Sequence, residues 1–341
     1  MRPTPRNIII SRVDAIGDVV LTLPMAAVLK KHFPDIVIGF MGKAYTRPVI
    51  EACKYVDVFI DVEDFMNKEI KLKGETPECI VHVFPLPALA KRARRLNIPL
   101  RIGTTNRLYH WFSCNKLVKL SRKKSTLHEA QLNMVLLKPL GINEQYSLEQ
   151  IGQLYGLEKL QPLPAHFADQ INSRQYNLVL HPKSQGHGRE WPLKNYIDLI
   201  KLLDASRFNI FITGTDKERQ HMQPLFDEAG ERVADLTGKM TLDEFISFIH
   251  HSDGLIASGT GPIHLAAALQ KDALGIYPPI RPVHPGRWAP LGKNAQVFVL
   301  KKECIDCKGN ADACHCIKEV APEWLEQTLK KKYGQKMANS I

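Results

Sequence analysis

Short apolar runs alternate along the chain with longer stretches of helical periodicity. Asn7–Ser11 (NIIIS), Ile36–Met41, Val56–Ile60, Cys79–Phe84 and Leu100–Gly103 read as buried strands. Asp18–Phe33, Tyr45–Lys54 and Pro87–Leu96 read as helices, the first either kinked at Pro24 or starting near Thr22. Thr126–Leu140 reads as a further helix, closed by Gly141. Residues 142–174 have weak periodicity with several Pro and Gln, and read as an inter-domain region. A second series then begins. Its strands are Tyr176–Leu180, Phe208–Thr213, Arg232–Leu236, Leu255–Ala257, Ala273–Tyr277 and Gln296–Leu300. Its helices are Pro192–Leu203, Lys217–Ala229, Thr241–His250, His264–Leu269 and Pro322–Tyr333. Two alternating series predict an α/β protein with two parallel sheets covered by helices. Ligands of such folds sit at the C-terminal ends of strands, in loops facing an inter-domain cleft. The expected division is 1–160, 161–320, and a C-terminal helix and tail at 321–341.

One stretch, Asp253–Leu269 (DGLIASGTGPIHLAAAL), concentrates this signal. An apolar strand enters a turn of Ser258, Gly259, Thr260 and Gly261, and Pro262 opens a helix. Free N–H groups and the helix dipole at such a terminus favour an anion, and glycine lets a phosphate approach the backbone. A tight βα turn with no ligand has the same pattern.

Composition narrows the class. A chain of 341 residues with 44% hydrophobic content suits two globular domains. No apolar run approaches the ~20 residues of a membrane span, and the N-terminus lacks a signal-peptide layout, so a cytoplasmic location is expected. Seven cysteines, an odd number, do not suggest a disulfide framework. The formal net charge is +11. Cations cluster at Lys91, Arg92, Arg94 and Arg95, and again at Lys116, Lys119, Arg122, Lys123 and Lys124. Such a face suits an anionic membrane, an acidic substrate or plain solvation. No RNP sequence, zinc-finger spacing or basic zipper points to nucleic acid.

Four places carry candidate chemistry. Asp18 follows Gly17 where the first strand's loop enters a helix, so it serves either as a general base or as a helix cap. Arg12 and Asp14 give that loop more charge than capping needs. The loop HPKSQGHGREWP sets Lys183, Ser184, Gly186, His187, Gly188 and Arg189 after a strand, where their donors can converge on a diphosphate. It is not a Walker A sequence and has no acidic pair for Mg²⁺. Asp216 and Glu218 follow another strand, placed either to accept from ribose hydroxyls or to cap a helix. Cys304, Cys307, Cys314 and Cys316 are compact enough to ligate a metal, but the spacing fits no standard zinc pattern and free thiols are the simpler reading. G-x-S-x-G, H-E-x-x-H and a strict G-x-G-x-x-G are missing, which argues against common hydrolase, zincin and nicotinamide-dependent readings.

With NIIISRVDAIGDVVLTLP, IPLRIGT, HPKSQGHGREWP and ASGTGPIHLAAAL in that order, the chain resembles glycosyltransferase family 9, the ADP-heptose:lipopolysaccharide heptosyltransferases. The resemblance implies a GT-B fold of two Rossmann-like domains, the first binding the acceptor and the second the nucleotide-sugar. It implies inverting, metal-independent transfer of heptose from ADP-heptose to a Kdo-lipid A type acceptor, with no cofactor. Asp18 would be the catalytic base, and Arg12 and Arg101 would contact the acceptor. Lys183, Ser184, Arg189, Thr260, Gly261 and His264 would hold the donor, with Asp216 or Glu218 on its ribose. The anionic lipid-linked glycan implies peripheral contact with the cytoplasmic face of the inner membrane, and no nucleic acid is implied. Arg189 stands where the family usually has Lys, and Gly259 where it often has Asp or Ser. The second departure leaves open a relative using another nucleotide-sugar. A non-catalytic GT-B protein binding a nucleotide or glycan is the further alternative.

Overall fold

The computed structural model describes residues 4–184, 186, 188–301 and 314–339. The chain divides into two compact units, Met1–Leu160 and Gln161–Ile341. The first is built on β1 (Asn7–Ser11), β2 (Val37–Gly42), β3 (Val58–Asp61), β4 (Cys79–His82), β5 (Leu100–Thr104) and β6 (Lys116–Val118). These form one parallel sheet in the order β3-β2-β1-β4-β5-β6. Ile8, Ile9 and Ile10 of the central strand are fully buried, because helices cover both faces. On one face Ile9, Met41, Ile60 and Ile80 pack with Phe65, Leu89 and Ala93.

The second unit repeats the plan with β7 (Tyr176–His181), β8 (Phe208–Ile212), β9 (Val233–Asp235), β10 (Gly254–Ser258), β11 (Asp272–Ile276) and β12 (Ala295–Phe298). Its order is β12-β11-β10-β7-β8-β9, again all parallel. Counted within each unit, both sheets have the doubly wound order 3-2-1-4-5-6. Each therefore has a switch point, at β1/β4 and at β7/β10, where loops leave in opposite directions and open a crevice.

Several elements differ from the pattern-based expectation. Asp18–Phe33 is two helices, Ile16–Val20 and Pro24–His32, because Pro24 has no N–H to continue the first and opens the second. Lys217–Ala229 likewise breaks into Asp216–Arg219, a short 3₁₀ turn at Gln220–Met222, and Gln223–Ala229 with Pro224 in its first turn. The β6 strand escapes the apolar pattern because it is a three-residue edge strand beginning with Lys. Residues 142–174 contain short helices at Leu148–Gly152 and Ala165–Ala168. The C-terminal helix runs Pro322–Ala338 and is part of the second unit's core. Leu325 and Leu329 are fully buried there, and Lys336 pairs with Asp253 at 2.7 Å. No helix among the described residues is long and apolar enough to cross a membrane.

Candidate active site

In the first unit the charged groups gather at the C-terminal ends of β1 and β4. Arg12 follows β1 and is 3% exposed. Its backbone N–H donates to Met41 O at 3.0 Å. Its guanidinium then serves three carboxylates: Nε donates to Asp14 Oδ1 at 2.7 Å, Nη1 to Glu129 Oε1 at 3.1 Å, and Nη2 to Asp18 Oδ1. Burial opposes the charge on Arg12, but Asp18, Asp14 and Glu129 outweigh it and hold the group protonated. Glu129 is 1% exposed and also accepts from Arg122 Nε at 2.8 Å. Arg122 in turn donates to Val83 O and Asn133 Oδ1, and Asn133 donates to Leu21 O and Thr22 Oγ1. Thr22 Oγ1 closes the circuit by donating to Asp18 O at 2.8 Å.

Asp18 occupies the third position of its helix. The N-cap is Ala15, and no side chain caps that terminus. The carboxylate is therefore held by a buried arginine and not spent on helix N–H groups. Its pKa is raised by burial; Arg12 opposes the rise and Glu129 adds to it. Asp14 is raised to about 6, again by burial, with Arg12 opposing and Asp18 adding.

The two arginines expected to meet an acceptor have other employment. The fork of Arg12 is occupied by carboxylates and shielded from solvent. Arg101 sits opposite Ile80, two residues short of the end of β4, and donates to the carbonyls of Ser113, at 2.7 Å, and Ile98. In this structure both arginines anchor their own unit.

In the second unit the loops after β7, β8 and β10 meet at one sheet edge. After β7, Glu190 organises the turn by accepting from Lys183 Nζ at 2.7 Å, Ser184 N at 2.8 Å and Ser184 Oγ at 2.9 Å. Burial disfavours the charge on Glu190, but Lys183 and Ser184 more than offset it, and its pKa falls below the usual range. Trp191 anchors the loop's end. It is 1% exposed, its backbone N–H donates to Ser258 Oγ at 3.1 Å, and its indole donates to Val320 O at 2.9 Å. Arg189 lies between these anchored residues and Gly188, where a Cβ would stand 3.6 Å from Gly259 O. The β7 and β10 loops therefore touch.

After β10, Thr260 is the N-cap of the helix Gly261–Ala268 but its side chain does not cap it. The Thr260 hydroxyl oxygen is shielded and, among the described residues, has no hydrogen-bond partner. His264, one turn into the helix, is 3% exposed. A Cβ on Gly259 would stand 2.6 Å from Cε1 of Tyr277, so any side chain here would force that buried ring to shift.

After β8, Thr215 caps Asp216–Arg219 in a reciprocal box with Glu218: Thr215 N donates to Glu218 Oε2 at 2.8 Å and Glu218 N to Thr215 Oγ1 at 3.4 Å. Glu218 is buried in this role, whereas Asp216 is exposed and leans on Gly238. Of the two acids, Asp216 is the more exposed. Cys304 and Cys307 lie outside the described residues. Cys314 and Cys316 are buried in the core of the second unit. Among the described residues no group of three His, Cys, Asp or Glu side chains is arranged to hold a metal.

Glu129 and Glu190 carry much of this geometry without having been singled out from sequence, and Arg122, read there only as one of a cation cluster, pairs with Glu129. Glu190 was visible in principle, as the one acid in a Gly- and cation-rich loop. Glu129 was not, since only folding brings it to Arg12.

Residues 90–318 match the model of glycosyltransferase family 9 (heptosyltransferase). That segment includes the β7, β8 and β10 loops and begins after Asp18. The chain is 23% identical over 288 residues to the lipopolysaccharide heptosyltransferase 3 of Escherichia coli, covering 76% of this chain and 80% of that one. Its fold is similar to a family 9 glycosyl transferase of Veillonella parvula, with TM-score 0.75, 18% identity and coverage of 96% and 97%. It is also similar to the E. coli ADP-heptose LPS heptosyltransferase II, with TM-score 0.74, 18% identity and coverage of 97% and 99%.

Proposed function

The chain belongs to glycosyltransferase family 9, and from that membership we propose that it transfers a heptose from ADP-heptose to the inner core of a lipopolysaccharide precursor. The acceptor would be a Kdo-lipid A type glycan, which would put the protein at the cytoplasmic face of the inner membrane. The observation that carries the catalytic part is the Arg12–Asp18 pair. It presents a carboxylate that is fixed in position and made more basic by burial.

In this reading the acceptor hydroxyl attacks the donor's anomeric carbon on the face opposite the diphosphate. Asp18 takes the hydroxyl proton as the new C–O bond forms. The old bond to the diphosphate breaks, and ADP leaves with the electron pair. One displacement inverts the anomeric centre. Lys183, Ser184, Arg189 and Thr260, with the Gly261 amide and the helix terminus behind it, balance the charge on the diphosphate. These donors take the role that a divalent cation has in other transferases, so no metal is assigned. Asp216 accepts from the ribose, and His264 supports the phosphate loop from within the helix.

A second reading has its own observation. The Tyr277 ring fills the space in which relatives often carry Asp or Ser at position 259. A donor with a different sugar on the nucleotide fits that change, with the same chemistry. A thermal-shift screen with ADP, UDP, GDP and ADP-heptose separates the two. A ligand at ~100 times its Kd stabilises by about 2.7 kcal/mol. Selective shifts with ADP and ADP-heptose support the heptose reading. A selective shift with UDP or GDP replaces the donor, and no shift with any of them contradicts both readings.

A further inference from the structure

Residues 79–128 contain no Asp or Glu and eleven Lys or Arg, so the whole formal net charge of +11 resides in this one stretch. It forms β4, the helix Pro87–Arg95, β5, the helix His110–Ser113 and β6, which together make one half of the first sheet and its edge. Some of the cations are structural: Arg92 binds backbone carbonyls, Arg101 does the same, and Arg122 pairs with Glu129. Lys91, Arg94, Arg95, Arg107, Lys116 and Lys119 are exposed. Among the described residues none of these six pairs with a carboxylate. Lys116 on β6 and Lys119 just past it continue the charge and line a groove with Lys138.

In the middle of the same stretch the apolar rule is broken. Leu108, Trp111 and Phe112 are 76%, 58% and 70% exposed, three large hydrophobic side chains within five residues. They are not a loose end. Trp111 Nε1 donates to Thr105 O at 3.0 Å, Arg94 Nη1 to Phe112 O at 2.6 Å, and Arg101 Nε to Ser113 O at 2.7 Å. The fold thus fixes an apolar tip outward, with Arg94 against it and Arg107 next to it in the chain. Holding such side chains in water is unfavourable, and a contiguous exposed patch marks a contact surface.

We propose that this tip and its surrounding cations form the surface by which the protein docks on an anionic lipid bilayer. Trp and Phe favour the headgroup level of a membrane, and exposed Lys and Arg are drawn to anionic lipids. A second copy of this chain is the wrong occupant, because it would bring an equally basic surface against this one. The tip's aliphatic Leu108 and its projection from a short helix favour a bilayer over stacked bases. The proposal names the docking surface, which the functional reading leaves open, and does not depend on the identity of the donor sugar.

The test is flotation of the full chain with vesicles, without sugar nucleotide, so its outcome is independent of the donor screen. The wild type binds phosphatidylglycerol–phosphatidylethanolamine vesicles and not phosphatidylcholine vesicles. That binding weakens steeply as salt shortens the Debye length from about 10 Å to about 3 Å. Replacing Leu108, Trp111 and Phe112 together by Ser lowers vesicle affinity on the order of a hundredfold, with an unchanged unfolding temperature. The triple change Lys91→Gln, Arg95→Gln and Arg107→Gln abolishes the preference for phosphatidylglycerol. Trp111→Phe keeps binding but loses fluorescence quenching by brominated lipid. The proposal is overturned by absence of binding to anionic vesicles, by full binding of the folded triple-Ser chain, or by single-stranded RNA binding this surface as tightly as lipid does.

Discussion

Arg12 and Glu129 are joined across 117 positions of sequence by a buried 3.1 Å hydrogen bond, and Asp18 hangs from the same guanidinium. The end of β1 is thereby locked to the first turn of the helix Glu129–Val135. Arg12→Ala leaves three carboxylates facing one another with Arg122 as the remaining cation of the network. Breaking a buried pair from one side costs about 3–5 kcal/mol. Urea unfolding of this variant should show a loss of that size, and a loss under ~1 kcal/mol would mean the network relaxes into solvent.

Glu129 also tunes Asp18. Its negative charge raises the pKa of Asp18, so Glu129→Gln removes that push and leaves Arg12 more fully to Asp18. Both effects lower the pKa of Asp18. The acidic limb of kcat should therefore move to lower pH in Glu129→Gln. A limb that stays in place, with kcat reduced at every pH, would assign Glu129 a purely structural role.

His82 is fully buried at the end of β4, and among the described residues neither ring nitrogen has a hydrogen-bond partner. Burial, with smaller contributions from His110 and Arg101, lowers its pKa from 6.5 to about 3. The folded state thus binds its proton less readily than the unfolded chain. The stability this gives is complete above pH 6.5 and is lost as pH falls toward 3, at ~1.4 kcal/mol per pH unit from this one group. Thermal unfolding of His82→Leu should be less acid-sensitive over that range than the wild type. Parallel curves for the two proteins would show that other groups set the acid limit.

Glu190 is predicted to act on donor binding through loop order. Glu190→Ala removes three hydrogen bonds from Lys183 and Ser184, and ADP binding must then order the loop itself. Calorimetry should show Kd raised about tenfold, with a smaller effect for Glu190→Gln. Tighter ADP binding in both variants would mean that Glu190 instead competes with the diphosphate for Lys183.

Much of the architecture was legible because buried parallel strands are written as continuous apolar runs. NIIIS and Leu255–Ala257 need no tertiary information to be read as buried strands. β6 was not legible, because an edge strand of three residues is held by pairing to Ile102–Thr104 and not by its own composition. Asp18 stood out because a Gly-Asp pair closes a βα turn. Its support did not, because Arg12, Arg122, Glu129 and Asn133 meet only through folding. Similarly, the capping box that occupies Glu218 and leaves Asp216 exposed depends on backbone geometry that residue type alone does not settle. Leu108, Trp111 and Phe112 fall in a loop rich in polar and aromatic residues after β5, and residue type alone does not show that all three face outward.

The most direct test of the central claim compares wild type with Asp18→Asn, an isosteric change that removes the base while keeping a hydrogen-bond acceptor for Arg12. Transfer from ADP-heptose to Kdo-lipid A is followed by ADP release, and ADP affinity is measured in parallel. The account predicts kcat reduced by about 10²–10⁴-fold with ADP affinity unchanged. Transfer at the wild-type rate by the folded Asp18→Asn chain would contradict it and remove Asp18 as the base.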